Sequence, residues 1–288
     1  MHVRSVALVS LAILGIGALA ACSPNDTKSD SPTVTSAAAN ACDVGSLKLH
    51  SAGQLTVATD NPAYEPWFAD NKPANGKGYE SAVAFAVAAK MGFSQDKVKW
   101  VSATFNTVIA PGPKNCDVDI NQVSISDERR KAVDFSTGYY DVAQAVISYK
   151  GSKIASAKSI ADLAGAKLGA QVGTTSYDTI VNTIKPSQKP AVFDTNDVAV
   201  QALKNKQIDG LVVDLPTGFY ITAAELDNGV IVGQLPVSNT PEQFGFVLDK
   251  GSSLTPCVSK AVDALRADGT LKKLQDQWLT SAGAPVLS

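Results

Sequence analysis

Short β-rich runs alternate with helical segments from Leu55 to Trp278, and this alternation restricts the chain to an α/β fold. Leu55–Thr59 reads as a compact apolar strand, with Val98–Val101 and Asp117–Val123 as the next two. Glu80–Met91 is Ala-rich and helical, with Val83 and Val87 one turn apart and Gly92 as its stop. Gln144–Tyr149 is a strand that follows a polar, aromatic stretch. A second cycle places strands at Lys167–Gln171, Ala191–Phe193, Gly210–Val213 and Val230–Val232, with helices starting near Thr175 or Ser176 and near Asp197. Phe244–Leu248 resumes strand character. Thr255 and Pro256 then form an N-cap and first-turn pair. Val258, Val262 and Leu265 share one face of that helix, Gly269 breaks it, and Leu271, Leu274 and Trp278 stripe the last one. No internal repeat is visible.

The residues before this pattern have a different character. Arg4 precedes an apolar run, Val6–Ala21, which is too short for a membrane span and reads as a signal-peptide core. It ends Leu19-Ala20-Ala21-Cys22, which resembles the lipobox of bacterial lipoproteins. That resemblance implies cleavage before Cys22, acylation of Cys22 with chains such as palmitate, and a mature chain anchored outside the cell membrane by its N-terminal lipid. An ordinary cleaved signal is the alternative. Ser23–Ala41 is rich in Ser, Thr, Ala, Asp and Asn, and cannot bury enough surface to offset its ordering entropy. The expected organisation is a signal peptide at 1–21, a flexible tether at 22–44, and about 245 folded residues, long for one core and comfortable for two lobes.

The net charge is −2 with no basic stripe, which argues against a nucleic-acid partner. With Cys22 assigned to lipid, Cys42, Cys116 and Cys257 remain. A Cys42–Cys257 disulfide tying the chain ends together is expected, with Cys116 as a buried core residue; three free thiols are the alternative. Catalytic readings find little support. The only histidines are His2 and His50, so no Ser-His or Cys-His relay can be built. No Cys/His cluster has metal-ligand spacing, and no glycine-rich phosphate loop or dinucleotide turn is present, so neither metal nor cofactor is expected. Asp117 and Asp119 fall on one side of a strand and read as structural or solvent-facing. The pattern points to binding.

Three stretches carry a resemblance that covers about Leu55 to Leu279. The first is Leu55-Thr-Val-Ala-Thr-Asp60, then Pro62-Ala-Tyr64-Glu-Pro66-Trp67-Phe68 and Gly76-Lys-Gly78-Tyr79-Glu80. The second is Asn121-Gln122-Val-Ser124-Ile-Ser126-Asp-Glu-Arg129, continuing through Val133-Asp134-Phe-Ser136 to Tyr139-Tyr140. The third is Leu168-Gly-Ala-Gln171-Val-Gly173-Thr174-Thr175-Ser176 with Asp209-Gly-Leu-Val-Val-Asp214-Leu-Pro216. Together these are similar to the family 3 extracellular solute-binding proteins, the polar-amino-acid receptors of ABC importers.

The resemblance implies a type II periplasmic-binding-protein fold of two α/β lobes, 45–142 plus 240–288 and 143–239, joined by a two-strand hinge near Tyr140–Ala145 and Asn239–Phe244. It implies a monomer that captures an amino acid and presents it to a membrane permease. Arg129 falls on the arginine that grips the ligand's α-carboxylate, which its planar fork suits. Ser124 falls on a residue whose hydroxyl and amide assist, and Thr174 and Thr175 on a Gly-Thr turn that clasps the same group. Asp214 falls on the acid that receives the α-ammonium. Tyr64 and Phe105 align with wall aromatics, while Trp67 either lines the wall or packs the loop. Asp60, Gln122 and Gln171 complete the expected ligand set; Gln122 stands where many relatives have Gly, and Gln171 where some have Lys. Without a second cationic group the pocket suits a neutral polar side chain. A sensor feeding a membrane receptor, and a dehydratase-like enzyme on the same fold, are the rival readings.

Overall fold

The computed structural model describes residues 41–237, 240–280 and 283–288. The expected signal peptide, Cys22 and nearly all of the tether lie outside these residues, as does Asn239 at the edge of the expected hinge.

Among the described residues, twelve strands and seven α-helices follow the alternation read from the sequence. The strands are β1 (Leu55–Thr59), β2 (Val98–Ser102), β3 (Val118–Asp119), β4 (Val133–Phe135), β5 (Tyr140–Val142), β6 (Gln144–Tyr149), β7 (Leu168–Gln171), β8 (Ala191–Phe193), β9 (Gly210–Asp214), β10 (Gly229–Gln234), β11 (Glu242–Phe244) and β12 (Val247–Asp249). The helices are α1 (Tyr79–Lys90), α2 (Phe105–Ile109), α3 (Thr175–Thr179), α4 (Asn196–Lys204), α5 (Leu215–Tyr220), α6 (Thr255–Ala267) and α7 (Thr270–Trp278).

Two five-stranded sheets define two lobes. The first has the order β2-β1-β3-β12-β4, with β1 parallel to β2 and β3, and β12 antiparallel to both its neighbours. The second has the order β10-β6-β9-β7-β8, with β7 parallel to β8 and β9, and β6 antiparallel to β9 and β10. Between them, β5 and β11 pair antiparallel as a separate two-stranded ribbon, the hinge. All five residues of β1 are buried, because a central parallel strand has both faces covered. One side of the first sheet packs on α1, α6 and α7 through Val57, Val83, Val87, Val258, Val262 and Leu265. Its other side packs on α2 through Phe105, Val108, Val123 and Phe135.

The structure corrects several expectations. The single strand over Phe244–Leu248 is two strands, broken at Gly245, where an added Cβ would lie 2.9 Å from Ile125. The expected strand at Asp117–Val123 keeps only Val118 and Asp119, since the chain then turns to form the cleft edge. Thr255 is the first helical residue of α6, and its side chain does not cap it. The tether expected at 22–44 already joins the fold at Cys42, which forms a disulfide with Cys257 (Cα–Cα 5.4 Å), and Val44 packs against the first core. Cys116 is free and buried. Finally, the C-terminal residues assigned to the first lobe end on the second. Gln234 donates its amide to Pro285 O at 2.8 Å and accepts from Leu287 N at 2.9 Å. Leu287 is fully buried among Ile154, Leu163 and Val232, so an apolar anchor draws the tail across.

Candidate functional site

The cleft is built where strand ends of both sheets meet. The β1 strand ends at Thr59, and Asp60 turns the chain into the loop carrying Tyr64 and Trp67. Asp60 Oδ1 accepts from Asn61 N at 2.8 Å and Oδ2 from Phe105 N at 3.3 Å, which ties that loop to the start of α2. Gly78 is needed to seat the loop: its φ is +93°, and a Cβ there would lie 2.4 Å from Trp67 O. On the far side, β7 ends at Gln171, and Gly173 (φ +72°) turns the chain into α3. Thr174 caps that helix, accepting from Tyr177 N at 3.2 Å while donating to Gln171 O at 2.7 Å.

One cavity lies between the lobes. All ten side chains expected of the ligand set line it: Asp60, Tyr64, Phe105, Gln122, Ser124, Arg129, Gln171, Thr174, Thr175 and Asp214. Asn121, Ser176, Asn196, Val213 and Thr217 also line it and were not anticipated. Thr217 sits three residues beyond Asp214, one turn into α5, so helical spacing could have found it. Asn196, beside the Thr195 cap of α4, is brought there only by folding.

Arg129 spans the cleft. Its Nη1 donates to Ser124 O at 2.6 Å and its Nη2 to Gly173 O at 2.9 Å, with the guanidinium 5.3 Å from the Phe105 ring centre. Burial pulls its pKa down, opposed by the charges of Glu242, Asp178 and Asp214, and the guanidinium stays protonated. At the end of β9, Asp214 Oδ1 accepts from Gln144 Nε2 at 2.8 Å. Burial raises the Asp214 carboxyl well above the usual range, and the charge of Glu242 adds to this.

Gln122 holds φ at +48°, a left-handed position that suits Gly. Its side chain compensates: both its backbone amide (2.8 Å) and its Nε2 donate to the buried carboxylate of Glu80, which also accepts from Tyr139. Trp67 packs the loop and does not line the cavity. It is fully buried, edge-on to Tyr140 and Phe244, and its Nε1 donates to Thr217 Oγ1 at 2.9 Å across the lobes. Tyr64 is half-buried at the wall; burial and nearby Asp197 raise its phenol pKa, so it stays neutral. Asp117 and Asp119 do not act as a pair. Asp117 accepts from His50 N and Thr56 N, both at 2.7 Å, and Asp119 is fully buried, so neither is solvent-facing. Among the described residues, no group of three or more His, Cys, Asp or Glu could hold a metal ion.

Two lobes of this topology, closing on a cleft of opposed charges, define a hinged solute-binding architecture. The chain belongs to the bacterial extracellular solute-binding proteins, family 3, which it matches over residues 55–281. It is 30% identical over 212 residues to a probable histidine-binding protein of Campylobacter jejuni subsp. jejuni, covering 72% of this chain and 78% of that protein. An ancestral arginine-binding protein bound to glutamine superposes with a TM-score of 0.66 at 32% identity, over 80% of this chain and 99% of the other. The ancestral amino acid-binding protein AncCDT-1, a precursor of cyclohexadienyl dehydratase, matches with a TM-score of 0.64 at 30% identity, over 79% and 96%.

Proposed function

We propose that the cleft captures a free amino acid outside the cytoplasm for uptake by an ABC importer. The observation that carries this reading is the placement of Arg129 and Asp214 on opposite lobes around one cavity, a charge pair that fits the two poles of a zwitterion. The carboxylate meets Arg129 and the Gly173–Thr174 turn; the ammonium meets Asp214. Tyr64 and Phe105 flank the side chain, and Asp60 faces its end. Because Asp60 lines the cavity as a second carboxylate and Arg129 is the single lining cation among the described residues, a side chain bearing N–H donors fits better than a simple neutral one. Relatives are named for histidine and for arginine, and the arginine-named one is described bound to glutamine; all three side chains carry N–H donors.

The mature chain is read as two lobes, 45–142 plus 240 to about 280, and 143–239 with the final residues strapped on. Contacts from both lobes stabilise the closed form, which a permease would recognise. Cys22 is read as the acylated residue that moors a monomer to the membrane. The protein is read as a binder without turnover: among the described residues the cleft holds no His or Cys, and the relatives above are named for binding. Calorimetric titration with the twenty amino acids and L-cystine, followed by recovery of the bound compound, tests this. One tight, chemically unchanged ligand is expected; conversion of the ligand, or no binding at all, would sink it.

A further inference from the structure

Four hydroxyl groups of the cleft wall have their protons committed away from the cavity. Thr175 Oγ1 donates to Glu242 Oε1 at 2.6 Å, and Ser124 Oγ donates to the same oxygen. Ser176 Oγ donates to Gln144 Oε1 at 2.7 Å, and Thr174 Oγ1 donates to Gln171 O. A hydroxyl has one proton, so each of these four can offer the cleft only lone pairs.

Glu242 organises the central two. It lies on β11 of the hinge ribbon, behind the cavity wall, and receives protons from Ser124 of the first lobe and Thr175 of the second. Its Oε2 accepts from Gln144 Nε2 at 3.3 Å, and the same Nε2 donates to Asp214. One hinge carboxylate therefore sets the polarity of hydroxyls on both lobes and is linked through one amide to the acid at the ammonium pole.

We propose that Glu242 is a positioning residue for ligand recognition: by drawing the Ser124 and Thr175 protons toward the hinge, it makes both hydroxyls obligate acceptors that receive the ligand's α-ammonium beside Asp214. Ser124 then serves the ammonium through its hydroxyl, and the carboxylate is left to Arg129 and backbone groups. A ligand without an α-cation meets a wall of lone pairs and is rejected. This rests on the amino-acid reading above.

The test compares full-length protein and Glu242→Gln in calorimetry with L-arginine, L-histidine and L-glutamine, and with the des-amino counterparts 5-guanidinopentanoic, imidazolepropionic and glutaramic acids. The natural protein should prefer each bound amino acid to its des-amino partner. In Glu242→Gln the amide can donate to one hydroxyl and free its proton toward the cleft. The amino acid should then weaken about tenfold or more, the scale of one charge-assisted hydrogen bond, and the preference should narrow by a similar factor. Equal weakening of both partners would mark Glu242 as a merely structural residue and overturn the inference. If that variant does not fold, Ser124→Ala should narrow the same preference; a preference that widens would show the hydroxyl donating to the carboxylate, and one that stays constant would show no role, either result overturning it. Failure of the natural protein to bind any of these amino acids would overturn the amino-acid reading first, and this inference with it.

Discussion

Arg129 and Gly173, 44 positions apart, are joined by a 2.9 Å bond from Nη2 to the glycine carbonyl, which ties the edge of the first sheet to the strand end of the second. Nη1 bonds Ser124 O on the near side, so one side chain touches both lobes. Arg129→Ala should therefore cost amino-acid binding about 2–5 kcal/mol, because a ligand carboxylate would be left in the cleft without its cation. Calorimetry should show at least a thirtyfold loss with an unchanged circular dichroism spectrum. Undiminished affinity would remove Arg129 from the carboxylate clamp.

The Trp67–Thr217 bond is a second contact between the lobes, buried where water cannot replace it. Thr217→Val leaves the indole N–H without a partner when the lobes close, at about 1–3 kcal/mol. Ligand should dissociate faster at nearly constant association rate, as stopped-flow Trp fluorescence would resolve. An unchanged dissociation rate would mean that the bond persists when the lobes part.

The Cys42–Cys257 disulfide joins residues 215 apart, so in the unfolded chain it closes a loop spanning most of the folded region and lowers that state's entropy. Replacing both with serine should lower stability by about 2–5 kcal/mol. Since neither cysteine lines the ligand cavity, affinity should hold. Thermal unfolding of the variant, and of the natural protein with and without reductant, checks both statements.

Glu80 gives stability a pH dependence. Burial pushes its carboxyl from 4.5 up to about 7, against hydrogen bonds from Tyr139 and Gln122 that pull it down. An acid raised on folding holds its proton more tightly in the native chain, so its stabilising contribution is full below about 4.5 and is lost as pH rises through 7. The size is at most about 3 kcal/mol, and buried Asp119, also raised, acts in the same direction. Urea midpoints of the natural protein should fall between about pH 5 and 8, and less steeply in Glu80→Gln. An equal slope in the variant would place the titration elsewhere.

Gly78→Ala probes the loop beneath the cleft. With φ at +93° and a Cβ 2.4 Å from Trp67 O, the substitution strains the backbone and displaces the Trp67 segment. A loss of about 2–4 kcal/mol in unfolding free energy is expected. A midpoint within a degree of the natural protein would show that the loop relaxes freely.

What the sequence determined by itself was local or carried by motif. Apolar periodicity placed β1, α1, β6, β7 and α6 within a few residues, because burial of their side chains depends on spacing alone. The motif around Ser124 to Arg129 and the strand end at Asp214 named residues that meet in one cavity. The tertiary structure alone decided what depends on distant backbone. The short strands β4 and β5 carry little periodic signal and exist because partners pair with them. Nothing near Glu242 in the sequence marks it, since its role comes from the hinge ribbon that sets it against Ser124 and Thr175, 118 and 67 positions away. Likewise, Leu287 crosses to the second lobe because an apolar site there is open to it, and no pattern of spacing can encode which of two cores will take a terminal leucine.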